Sequence, residues 1–108
     1  MIPYTEFDIQ ATAYGLLHEA GYIVSGEVHI GKTNKVPRGA RFDLVIYSDR
    51  HGKILLTIEV KRSHRGNLSD IKKRRYEALV NAPCIVINGM TQAKDIVAIV
   101  EAKLTATR

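Results

Sequence analysis

This chain has almost no sulfur chemistry to draw on. Cys84 is its only cysteine, so no disulfide can form within it, and a buried structural thiol in a reducing compartment is the expected reading. No Cys/His spacing of the zinc-binding kind occurs, nor a glycine-rich phosphate loop, nor the elbow motif of a serine hydrolase. No apolar run approaches the ~20 residues that would span a bilayer, so no membrane partner is expected. The opening "MIPYTEF" has neither a basic leader nor a long apolar stretch. No secretory signal is therefore expected, and the expected location is cytoplasmic. Repeats, low-complexity segments and linkers are also missing, so residues 1–108 are read as one domain.

Charge is present and unevenly spread. The 108 residues carry a formal net charge of +5. Between residues 61 and 75, Lys61, Arg62, Arg65, Lys72, Lys73, Arg74 and Arg75 stand against Asp70 alone, which by itself exceeds the excess of the whole chain. A local basic stretch of this kind fits a polyanion such as nucleic acid, and equally a solvated helix face.

Hydrophobic periodicity divides the chain in the order αβββαβα. Residues 4–20 read as a helix with Thr5 as N-cap, Gly21 as stop, and Ile9, Ala13, Leu16, Leu17 and Ala20 as its apolar stripe. Residues 22–30 read as a strand with a bulge at Ser25-Gly26, and 41–48 and 53–61 as the strongest strands. Ser69 is placed to cap a helix over 70–80 that turns Ile71, Leu79 and Val80 inward. A short buried strand over 83–88 ends at Gly89, and Thr91 caps a final helix carrying Ile96, Val97, Ile99, Val100 and Leu104.

The stretch "ILLTIEVKRS" places Glu59 and Lys61 in the second half of an apolar run. Ionised groups are rarely buried without a partner. Side chains alternate along a strand, so Thr57, Glu59 and Lys61 share one face, and Asp43, Val45 and Tyr47 share a face of the preceding strand. A three-residue loop Arg50-His51-Gly52, with Gly52 left-handed, pairs Asp49 with Lys53 and brings Asp43 opposite Glu59. Their Cβ atoms would then lie ~5 Å apart. A two- or four-residue loop would instead put Asp43 opposite Ile58 and split the charges between faces. In the first register two carboxylates repel each other and Lys61 offsets only part of the cost. A divalent cation would offset the rest, and all-oxygen ligation selects magnesium, manganese or calcium over zinc.

These residues carry a family resemblance. "RFDLVIYSDRHGKILLTIEVK" resembles the core of the PD-(D/E)XK nuclease superfamily, which includes many restriction endonucleases and archaeal Holliday-junction resolvases. The element order is similar over nearly the whole chain. "FDLVIY…LLTIEVKRS…RRYEAL…PCIVING" is most similar to the nuclease domain of type I restriction-enzyme motor subunits and to related small nucleases. The fold implied is an α/β restriction endonuclease-like core, a central mixed sheet flanked by helices. The resemblance implies that Asp43 and Glu59 hold Mg2+ (or Mn2+) with the Val60 carbonyl completing the coordination, and that Lys61 is the catalytic lysine. Phe42 stands where the family name has proline. Where some members carry Gln-x-x-x-Tyr on the following helix, this chain has Lys72 and Tyr76. An acidic residue on the first helix is common in the family. Helical geometry puts Glu6, with Gln10 beside it, on the Ile9/Ala13/Leu17 arc, whereas Glu19 projects from the opposite side. Glu6 is thus the preferred candidate, and favouring the helix N-terminus through the dipole is its alternative role.

The implied reaction is hydrolysis of a phosphodiester in DNA. Arg62, Arg65, Lys72, Lys73 and Arg75 would grip backbone phosphates, as would Lys32, Lys35, Arg38 and Arg41 in and after "GKTNKVPRGAR". His51 and His64 read as loop histidines. One small site makes a single nick, so a paired cut calls for a homodimer, with action inside a larger restriction or recombination complex as the other setting. A nucleic-acid-binding module that keeps the fold and does not cut is the competing reading.

Overall fold

The computed structural model describes residues 4–31, 39–50, 52–62 and 70–106. Helix α1 (Glu6–Glu19) begins as the sequence predicts. The Thr5 hydroxyl accepts from the Asp8 N–H at 3.1 Å, and the Asp8 carboxylate accepts from the Thr5 N–H at 2.8 Å. This reciprocal cap satisfies two of the donors that every helix start leaves open. Gly21 leaves the helix with φ +94°, a conformation that costs glycine nothing.

Four strands follow in one sheet of spatial order β1-β2-β3-β4: β1 (Ile23–Ile30), β2 (Ala40–Tyr47), β3 (Ile54–Lys61) and β4 (Cys84–Asn88). The first three run antiparallel to their neighbours, whereas β4 lies parallel to β3. A parallel neighbour needs a crossover, and helix α2 (Asp70–Val80) supplies it. Two short helices, α3 (Gly89–Lys94) and α4 (Ile96–Ala106), complete a mixed α/β fold with helices on both faces. None of the described helices is long and apolar enough to cross a membrane.

One face of the sheet buries Leu44, Ile46, Leu56, Ile58, Val60 and Ile87 under Ile9, Ala13 and Leu17 of α1, Ala93 of α3, and Ile96 and Val100 of α4. The other face packs Ala40, Phe42 and Val45 against Tyr76, Leu79 and Val80 of α2. Phe42 and Tyr76 meet edge-on with ring centroids 5.0 Å apart. β3 is covered on both sides, and polar residues on it are therefore exceptional.

Three expectations are corrected. Ile71 is 65 % exposed rather than inward. At 100° per residue it lies about 140° from Tyr76, the residue that anchors the helix. The final helix is two helices. Gly89, with φ +80°, turns the chain into α3 directly from the strand, so Thr91 sits inside that helix and Asp95 breaks it from α4. The hairpin turn also differs. The Ser48 N–H donates to the Lys53 carbonyl at 2.9 Å and the Gly52 N–H to that of Asp49 at 3.1 Å, so positions 49–52 close the turn and Gly52 is not left-handed.

A four-residue connection alone would carry every β3 side chain to the wrong face. Instead the ladder slips by one residue between Ile46 and Tyr47, with Leu55 left as the extra residue. Val45 then faces Thr57 and Leu44 faces Ile58, the register that the shorter loop had implied. Glycine is required at 52 by space: a Cβ there would collide with the Ser48 hydroxyl and lie 2.8 Å from the Asp49 nitrogen. Gly52→Ala is expected to lower the unfolding free energy by ~1–3 kcal/mol in urea denaturation. An unchanged midpoint would show that the turn opens freely.

Candidate active site at the parting of two strands

The regular pairing of β2 with β3 stops at Leu44 and Ile58. One step further the same register puts Asp43 across from Glu59, but no backbone pair forms there. The Asp43 carboxylate instead accepts a hydrogen bond from the Val60 N–H, Oδ2 to nitrogen 2.8 Å. A side chain has taken the place of a main-chain acceptor, and the two strands part around it. In an extended strand the N–H and C=O of one residue point to the same side. The Val60 carbonyl therefore opens toward β2 as well.

Glu59 alternates with Ile58 and Val60, which belong to the α1 side of the core, so its side chain projects toward the α2 side with Thr57 and Lys61. It is 7 % exposed, and its Oε1 is a buried acceptor with no partner. The other carboxyl within hydrogen-bonding reach belongs to Asp43. Burial, and then the negative charge of Asp43, raise the Glu59 pKa to about 7, while Lys61 and Lys72 pull against the shift. The two acids and Lys61 thus lie close enough to act on one another. Thr57, fully buried two residues before Glu59 on the same face of β3, turns its hydroxyl toward the Cys84 thiol. Cys84, its neighbour in the β3/β4 register, is a buried thiol whose pKa is raised by burial.

The remaining candidates scatter. Lys72 on α2 lies close enough to act on Glu59, and its ammonium sits 5.5 Å from the centre of the Tyr76 ring. Tyr76 itself is a packing anchor for α2. Lys73 is half-buried, whereas Arg62, just after β3, and Arg74 and Arg75 of α2 are exposed. Arg41 is exposed and ion-paired to Glu27 at 3.4 Å. Gln10 donates to the same Glu27 carboxylate at 3.3 Å. Glu6 is exposed, one helical turn before Gln10, and is not among the charges that perturb Glu59. Lys32, Lys35, Arg38, His51, His64, Arg65 and Ser69 lie outside the described residues.

No protein-family model, curated protein or solved structure matches this chain. Among the described residues no three His, Cys, Asp or Glu side chains converge to hold a metal ion. The sequence reading missed two residues that shape this end of the sheet. Glu77 accepts the Cys84 N–H at 3.0 Å, tying α2 to the start of β4. Glu27 lies across from Asp43 with φ +54°. The bulge expected at Ser25-Gly26 is absent: β1 keeps one register with β2 from Ile23 to Ile30, and the irregularity is the unpaired Glu27.

Folded Glu59 holds a proton that the unfolded chain releases from the ordinary value of 4.5 upward, and gives it up only near 7. The folded state binds more protons in that window, so this contribution to stability is complete below 4.5 and is lost as pH rises through about 7. At about 1.4 kcal/mol per pKa unit, the loss is at most ~3.5 kcal/mol. Urea denaturation of the metal-free protein is expected to show this decline between about pH 4.5 and 7, and Glu59→Gln to flatten it. An identical pH profile in the variant would remove Glu59 as its source.

Proposed function

We propose that this chain is a divalent-metal-dependent nuclease acting on DNA, built on a restriction endonuclease-like core. The observation that carries the reading is the contact of the Asp43 and Glu59 carboxyls where β2 and β3 part, with Lys61 on the face that Glu59 shares. Two acids held close together, one of them buried and with an unpartnered oxygen, form a site that a hard cation would stabilise. Asp43, Glu59 and the Val60 carbonyl are the donors. All are oxygen, and their small number suits magnesium or manganese, which usually retain several waters and bind substrate phosphate. A cation held there supplies positive charge to the phosphate and lowers the pKa of water.

The chain's own residues account for the other requirements. Lys61 is a compact ammonium able to hold an attacking water or to stabilise the negative charge on the oxygens of the pentacoordinate phosphate. Lys72 adds a second cation on the α2 side. Arg62, Lys73 and Arg75 would bind flanking phosphates, which positions DNA without reading its sequence. Arg41 is available for the same task once it exchanges Glu27 for phosphate. Cutting both strands would require a second copy or a larger complex.

Nicking of supercoiled plasmid with Mg2+, Mn2+ or EDTA tests this. Cleavage is expected with either metal and not with EDTA. Lys61→Ala is expected to lower the rate roughly 100-fold or more while salt-dependent DNA binding stays within about threefold. Plasmid binding with no cleavage under any metal would make the chain a binding module instead.

A further inference from the structure

Asp43 can leave the sheet only because both of its neighbours release it. On the β3 side the ladder ends at Leu44 and Ile58. On the β1 side Gly26 faces Leu44 and Val28 faces Phe42, yet the pair between them, Glu27 with Asp43, is missing. Glu27 is there in the left-handed region with φ +54°, which a side-chain-bearing residue rarely adopts. The effect on β2 is visible in its packing. Ala40, Phe42 and Val45 all join the α2-side cluster, whereas Leu44 and Ile46 join the other, so strict alternation fails between Phe42 and Val45. Asp43 sits at that fault, and its carboxylate runs toward β3 to the Val60 N–H.

We propose that Glu27 is a positioning residue of this site: its left-handed backbone removes the β1 pairing from Asp43 and so lets the Asp43 carboxylate reach Val60 and Glu59. The Glu27 side chain meets both neighbouring elements in solvent-exposed contacts, accepting from Gln10 of α1 and pairing with Arg41 of β2. Strained backbone at a site is worth a functional hypothesis when neighbouring groups fix it this way. The inference rests on the nuclease reading for its catalytic consequence alone; the positioning of Asp43 is a separate, measurable fact.

The test compares Glu27→Gly, which adopts the left-handed backbone without penalty, with Glu27→Val, which resists it. Hydrogen exchange at the Val60 amide, followed by NMR in the full chain, reads the bond to Asp43 directly. Glu27→Gly is expected to keep Val60 protection near the wild-type level. Glu27→Val, folded by circular dichroism, is expected to lose roughly tenfold or more of it. Nicking activity is expected to follow the same order, within about threefold for Gly and down roughly 100-fold for Val. If Glu27→Val does not fold, Glu27→Ala takes its place, carrying a Cβ with less bulk. Equal Val60 protection in all folded variants would overturn the proposal, as would a loss in Glu27→Gly as large as in Glu27→Val. If wild type fails to nick DNA, the nuclease reading falls while the Val60 comparison still decides the role of Glu27.

Discussion

Two carboxyl groups held close together, one of them almost closed to water and the other half-buried, constrain everything around them. Asp43 and Glu59 would repel if both were ionised, and burial makes the charge on Glu59 still more costly. The fold tolerates them because the strands part at that point, because the Val60 N–H is given to Asp43, and because Lys61 and Lys72 lie near enough to offset some of the repulsion. A sheet optimised only for stability would close the ladder here with apolar side chains, as it does at Leu44 and Ile58. The proton taken up by Glu59 is the metal-free answer to this conflict, and a divalent cation is the answer that the proposed nuclease would use.

The position of the site at the end of the sheet follows from how the layers are built. The α1 side of β2 and β3 is fully apolar and packs under three helices. The α2 side becomes polar toward Thr57 and Glu59, and the helix above it has no fully buried residue. α2 is held by a few specific contacts, Tyr76 on Phe42 and Glu77 on the Cys84 N–H, while its basic residues remain outside. This division leaves a cationic surface beside an acidic pocket, the electrostatic pattern that a phosphodiester and a metal ion would meet together.

Much of this could be read in the residues, though not always for the reason assigned. The alternation of "ILLTIEVK" put Glu59 and Lys61 on one face, and the structure agrees because strand periodicity leaves no other choice. The meeting of Asp43 with Glu59 was anticipated from a three-residue loop that does not exist. The real turn is a residue longer, and the bulge at Leu55 cancels the difference. Register is set by which side chains must be buried, and the turn adapts to it. Hidden from sequence were features decided by tertiary contact: the left-handed Glu27, the inward face of α2, and the break at Asp95. Local patterns marked an irregularity near Ser25-Gly26, but only the neighbouring strand determines which residue bears it.

The coupling of Asp43 to Glu59 is most directly accessible through the carboxyl carbon of Glu59, titrated by NMR in the metal-free protein and in Asp43→Asn. A wild-type midpoint near 7 that falls in the variant, yet stays above 4.5 because burial remains, is the result this account predicts. A Glu59 that titrates at its ordinary value in both proteins would contradict it, for the two acids would then not act on one another.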